Sequence, residues 1–135
     1  MTRYMLDTNT VSHLLKKHPA VARRLVAVPI TSLCISAITQ GELLFGLAKR
    51  PDATALRGVV REFLRRVDVL PLDAATSEVY GSARAATERE GRVLATMDLL
   101  IGSHALSIDA VLVTNDRAFA QLPGLAVEDW TEAPR

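Results

Sequence analysis

Four carboxylates stand where a free carboxylate is hard to place. Asp7 directly follows the strand-like run RYML (3–6), and Asp116 follows the strand-like run AVLVT (110–114) after Asn115. Glu42 lies near the middle of ISAITQGELLFGLA (35–48), a nearly all-apolar helical stretch. There it shares a face with Ile38, Gly41 and Phe45, while Leu43, Leu44 and Leu47 cover most of the remainder. Asp98 opens the helical stretch MDLLIGSHALSI (97–108) on a face with Ile101, Gly102 and Ala105. A lone carboxylate on such a face has its pKa pushed up or is costly to keep ionised.

Taken singly, each acid has a plain structural explanation. Asp7 caps the helix after it, Asp98 sits at a helix N-terminus, Asp116 makes a turn, and Glu42 pairs with an arginine. Taken together, two acids at strand ends and two on apolar helix faces form a charge cluster that needs a cation. Gly41 and Gly102, beside the helical acids, are read as leaving room for something other than side chains. An all-oxygen donor set suits Mg²⁺ or Mn²⁺; His13, His18 and His104 with the single Cys34 show no zinc spacing. His104, on an otherwise apolar helix, reads as a packing residue. The chemistry that fits one or two hard cations on clustered carboxylates is hydrolysis of a phosphodiester by water.

The elements that must position these acids follow from periodicity. After Asp7, TNTVSHLLKK turns helical, with Val11, Leu14 and Leu15 on one side, and Pro19 restarts the chain as PAVARRLVAV. ITSLCIS (30–36) reads as a second strand, with Ser36 as N-cap of the helix that carries Glu42 and Pro51 ending that helix. Asp52 is expected to cap ATALRGVVREFLRR, whose inward face is Leu56, Val59, Val60, Phe63, Leu64 and Val67. VDVLPL is a third strand, and Asp73 caps a long helix running to Gly91, with Ala75, Val79, Ala83 and Ala86 inward. RVLAT is a loop before the Asp98 helix, and LAVEDW (125–130) is a late extended piece. Strands alternating with helices predict a three-layer α/β/α sandwich with a mostly parallel central sheet, in which ligand sites form along the carboxyl edge. If the strands before Asp7 and Asp116 are parallel neighbours, those two carboxylates face each other.

A chain of 135 residues with 49% hydrophobic and 23% charged residues has the composition of one globular domain, spanning 1–135 with no linker. Asp7 interrupts the start before a signal peptide forms, and LVAVPI (25–30) is far too short to cross a bilayer, so no membrane association and a cytoplasmic location are expected. Cys34, inside a strand-like run, reads as a small buried hydrophobe in a reducing compartment. The net charge is only +1, yet Lys16, Lys17, Arg23, Arg24, Lys49, Arg50, Arg57, Arg61, Arg65 and Arg66 make the first half basic.

MLDTN (5–9), ITQGELLFG (38–46), MDLLIGSHAL (97–106) and LVTNDRAF (112–119) resemble the PIN-domain nucleases, and among them the VapC-type toxins of bacterial toxin–antitoxin pairs. The resemblance covers nearly the whole chain. It implies a PIN-like fold and four acids around Mg²⁺ or Mn²⁺, carried over here as Asp7, Glu42, Asp98 and Asp116, with Asn9 and Thr114 as supporting polar residues. It further implies an endoribonuclease acting on structured RNA such as tRNA, a homodimer, and neutralisation by a cognate VapB-type antitoxin in a hetero-oligomer that meets operator DNA only through the antitoxin. One position departs from the common pattern: many relatives carry an acid immediately before the phenylalanine, where this chain has Ala118, so the fourth acid is Asp116 in a TxDxxF arrangement.

Two other classes compete with the nuclease. In a phosphatase or receiver-like domain Asp7 is a phosphorylated nucleophile, but LDTNT lacks the second acid two residues on. A catalytically silent domain that keeps the fold and binds only RNA or an antitoxin is the other.

Overall fold

The strand-like runs send alternate side chains to two faces, and each face closes over its own core. The computed structural model describes residues 1–132. Five strands, β1 (Tyr4–Leu6), β2 (Leu33–Ser36), β3 (Asp68–Leu70), β4 (Val111–Val113) and β5 (Val127–Glu128), form one sheet in the order β3-β2-β1-β4-β5. All four pairings are parallel, so the sheet expected to be mostly parallel is wholly so. Leu6, Leu33, Ile35 and Val113 point into one core; Met5, Cys34 and Leu112, their neighbours in sequence, point into the other. This is the period of two of a pleated strand buried on both sides.

Helices α1 (Thr8–Leu15), α2 (Pro19–Val26), α3 (Ala37–Ala48) and α4 (Thr54–Arg66) cover the first face through Val11, Val21, Leu43, Leu47 and Val60. Helices α5 (Ala74–Arg89) and α6 (Thr96–Ser107) cover the second, where Leu99, Ile101 and Ala105 are buried. Each fully buried aliphatic side chain contributes roughly 1.5–3 kcal/mol relative to exposure. The chain builds outward from β1 to β2 to β3 on one side, then crosses under the sheet through α5 and α6 to place β4 on the other side of β1. The order therefore reverses between β1 and β4, and in open α/β sheets ligands bind beyond the carboxyl ends of the strands at such a point.

Several local expectations hold. Ser36 caps α3 by accepting from the Ile38 amide (3.1 Å), and Asp73 caps α5 by accepting from the Thr76 amide (3.0 Å). Cys34 is fully buried, and burial pushes its thiol up to about 11, which leaves it unreactive at neutral pH.

Others are corrected. Asp52 does not cap α4: the N-cap is Ala53, with no side-chain bond, while the Asp52 carbonyl accepts from the Thr54 amide. Residues 30–32 wind into a 3₁₀ turn, so the second strand begins only at Leu33. Helix α1 stops at Leu15, because Lys17 takes the left-handed conformation with φ of 61°. The inward stripe of α5 differs in part from the expected one: Val79, Ala83 and Ala86 are half-buried, but Ala75 is exposed and the fully buried residues are Thr76 and Thr87, with Tyr80 beside them. Both threonines are buried with their hydroxyls bonded, to Ser107 and to the Arg84 carbonyl, so polarity misleads as a guide to the face.

Candidate active site

Asp7 emerges from β1 at the point where the strand order reverses. Its amide donates to the Val113 carbonyl of β4 at 3.1 Å, and the β1–β4 register, Leu6 opposite Val113, brings Thr114 opposite Asp7. The carboxylate is nearly fully buried. Its Oδ1 accepts from the Thr10 amide at 2.8 Å, so the capping role open to it is realised. Burial raises its pKa above the ordinary carboxylate value. The hydroxyl of Thr114 and the amide of Thr10 oppose the shift, and the nearby charge of Asp116 adds to it.

Asp116 stands two residues beyond Thr114. Its amide donates to Thr114 Oγ1 at 3.0 Å, and its own Oδ1 accepts from the Ala118 amide at 2.9 Å, capping the 3₁₀ turn Arg117–Gln121. Asp98, in the first turn of α6, is half-buried. Burial raises its pKa first, and the charges of Asp116, Glu42 and Asp7 then raise it further. A like-charge effect from all three other acids on one carboxyl means that the four, contributed by β1, α3, α6 and the end of β4, share one region.

Glu42 is half-buried on α3, as the apolar run around it requires. Its partner is Thr8, whose hydroxyl donates to Glu42 Oε1 at 2.7 Å and stands 3.4 Å from Thr39 Oγ1. Among the described residues, no three His, Cys, Asp or Glu side chains are gathered tightly enough to grip one ion as they stand. Each of three acids is engaged elsewhere: Thr8 bonds Glu42, the Thr10 amide bonds Asp7, and the Ala118 amide bonds Asp116. Neighbouring carboxylates held a little apart, one buried and all offering oxygen, still form a donor set suited to a hard divalent cation.

The supporting residues separate. Thr114 is buried and touches both Asp7 and Asp116, whereas Asn9 is exposed on the first turn of α1. Sequence reasoning missed Thr8 and Thr10, and found Ser36 as the cap of α3 but not as the partner of His104. Thr10 carries a signal, since the third residue after a strand-end acid offers the amide that such an acid caps, whereas Thr8 finds its partner Glu42 on a distant helix. Replacing Thr8 with Val keeps the shape and removes the hydroxyl; if Glu42 serves as a ligand, it is expected to weaken divalent-cation binding by about tenfold, the lower end for loss of a group orienting a ligand. Isothermal titration with Mn²⁺ checks it.

The glycine beside Asp98 has a different role from the one expected. A Cβ on Gly102 would collide with the Leu122 side chain and crowd Phe119, so the space is filled by protein. Gly102 lets α6 lie close against the turn that Asp116 caps. Gly102→Ala is expected to cost roughly 1–3 kcal/mol by overpacking, read as a lower urea midpoint. Gly41 is exposed, with open space around it.

A PIN-domain family model matches residues 4–125. The chain belongs to the PIN-domain family. This PIN domain is 36% identical over 132 residues to a tRNA(fMet)-specific endonuclease VapC of Shigella flexneri, a match that covers 97% of this chain and 100% of the relative. It is 33% identical over 130 residues to Ribonuclease VapC2 of Rickettsia felis, covering 94% and 97%. Among solved structures, a DNA-bound VapBC from Salmonella typhimurium superposes with a TM-score of 0.89 at 36% identity, covering 96% of this chain and 99% of that one. Within the family, this PIN domain therefore stands with the VapC ribonucleases. Among the described residues no helix is long and apolar enough to cross a membrane.

Proposed function

We propose that Asp7, Glu42, Asp98 and Asp116 together hold Mg²⁺ or Mn²⁺ and that the protein is an endoribonuclease toxin hydrolysing phosphodiester bonds of structured RNA such as tRNA. What supports this reading is the placement of four acids by β1, α3, α6 and the end of β4 at the sheet's reversal point, where Asp98, raised first by burial, also feels the charges of the other three. A divalent cation bound there supplies charge neutralisation and polarises water and phosphate. The chain's own groups do the rest: Thr10 and Thr114 fix Asp7, Thr8 fixes Glu42, and the Ala118 amide fixes Asp116. Attack by water, with no role for the RNA 2′-hydroxyl, leaves 5′-phosphate and 3′-hydroxyl ends.

A groove of about 290 Å³ opens beside Glu42, lined by Thr8 and Glu42, by the aliphatic side chains of Leu15, Leu43, Leu47, Leu56 and Val60, and by the cations Lys16, Lys49 and Arg50. An aliphatic lining without aromatic faces suits peptide side chains better than stacked bases. We assign it to a VapB-type antitoxin, whose acidic groups meet the cations and whose seat covers the approach to Glu42. The superposable VapBC complexes, bound to promoter DNA in the Rickettsia felis case, support a toxin–antitoxin hetero-oligomer, and in this reading it meets operator DNA only through the antitoxin. Homodimerisation belongs to the same reading. RNA is held by exposed cations such as Arg57, Arg61 and Arg117, and its binding weakens steeply with salt.

The test is cleavage of total bacterial RNA by the purified, antitoxin-free protein with Mg²⁺ or Mn²⁺, beside an EDTA control and Asp98→Asn. Discrete fragments that vanish in both controls support the reading. Fragments with 2′,3′-cyclic phosphate ends overturn the mechanism, and binding without cleavage moves the weight to a silent interaction domain.

A further inference from the structure

Two of the four acids ride on helices that lie on opposite faces of the sheet. Helix α3 packs Leu43 and Leu47 into one core, and α6 packs Leu99, Ile101 and Ala105 into the other. Ile38, at the start of α3, also reaches the second core, but such apolar contact is non-directional, and a cation site tolerates only about 0.2 Å of error in its ligand distances. One directional contact spans the layers. Ser36, the N-cap of α3, places its Oγ 2.8 Å from Nδ1 of His104 on α6, and the same Oγ accepts from the Ile38 amide at 3.1 Å. Both side chains are buried, at 0% and 1% exposure. Among the described residues this is the one side-chain hydrogen bond between the start of α3 and α6. Glu42 follows Ser36 by six residues and Asp98 precedes His104 by six, each about 9 Å of helix from the contact.

We propose that Ser36 and His104 are a positioning pair that braces α3 against α6 and so sets the Glu42 to Asp98 separation at which the cation is held. The pair touches no reacting group; it acts through the helices it joins. The inference rests on the four-acid reading above. It also gives His104 a role beyond packing, since a leucine of similar volume would fill the same space.

The experiment compares His104→Leu, Ser36→Ala, the double variant and His104→Asn, whose amide can place a polar atom near the Nδ1 position. Mn²⁺ affinity is measured by titration calorimetry, kcat and KM with a defined RNA, and folded fraction by melting. The expected result is about tenfold weaker Mn²⁺ binding and about tenfold lower kcat per folded molecule in His104→Leu and Ser36→Ala, with KM for RNA unchanged. The double variant should be no worse than the poorer single one, because both remove one contact, and His104→Asn should recover most of the loss. A lower melting temperature with Mn²⁺ affinity and kcat intact overturns the brace and leaves a core contact only. Asp98→Asn is run alongside: if it too keeps Mn²⁺ binding and cleavage, the four-acid reading falls and the brace falls with it.

Discussion

Asp7→Asn is expected to lower RNA cleavage at least about a hundredfold while raising the melting temperature of the cation-free protein. On the proposed four-acid site, the first effect follows from losing a ligand charge, since removal of a group that merely orients a ligand already costs roughly 10–100-fold. The second follows from burial. Asp7 is 4% exposed, and its pKa stands above the ordinary 3.8 because desolvation outweighs its hydrogen bonds from Thr114 and Thr10. A carboxyl whose folded-state pKa is raised binds its proton more tightly in the folded state. Its contribution is present below the unfolded pKa and is lost as pH rises through the folded one. Asp98 behaves alike, its pKa raised by burial and then by Asp116, Glu42 and Asp7.

The cation-free protein is therefore expected to lose stability from these two groups as pH climbs from 3.8 toward their raised values. Asn at position 7 can still accept from the Thr10 amide but carries no charge, so it removes Asp7's share of that loss. His104 acts in the opposite sense: burial lowers its pKa below 6.5, so its contribution is present above 6.5 and is lost as pH falls through the lowered value. The difference between wild type and Asp7→Asn, measured by melting across pH 4–8 with EDTA, cancels the histidine. A variant that melts lower than wild type throughout this range would sink the account of Asp7 as a carboxylate held at a cost. Mn²⁺ is expected to raise the melting temperature of wild type and to do so far less in the variant.

Trp130→Ala is expected to destabilise the fold by roughly 3–5 kcal/mol, read as a fall in melting temperature of at least about 10 °C. The indole is 1% exposed, packs 5.4 Å from the Tyr4 ring, donates through Nε1 to Glu128 at 3.0 Å, and lies under the Arg24 guanidinium at 5.8 Å. Arg24 also bridges Glu128 at 2.9 Å, so one aromatic side chain ties β5 and α2 to β1. Losing it frees the two-residue edge strand β5, which pairs only with β4. Trp130→Phe keeps most of the burial and is expected to recover more than half of the loss. Equal melting temperatures for wild type and Trp130→Ala would refute this seat for the ring.

The sequence by itself determined the layers and where the acids must fall. Val, Ile and Leu alternating in short runs write strands buried on both faces, and an acid placed just past such a run lands on the carboxyl edge whichever strands pair. Glu42 and Asp98 were legible because a carboxylate in an apolar helix is an exception that demands a partner. The motifs MLDTN and MDLLIGSHAL, which lie within the matched residues 4–125, made the family legible as well. Only the tertiary structure decided that β4 is the neighbour of β1, that Gly102 faces Leu122 rather than an open site, that Thr8 holds Glu42, and that Ser36 meets His104. The physical reason is range. Periodicity reports which side of its own element a residue takes, whereas each of these facts joins elements distant in sequence, and a hydroxyl or an absent side chain leaves no mark on that period.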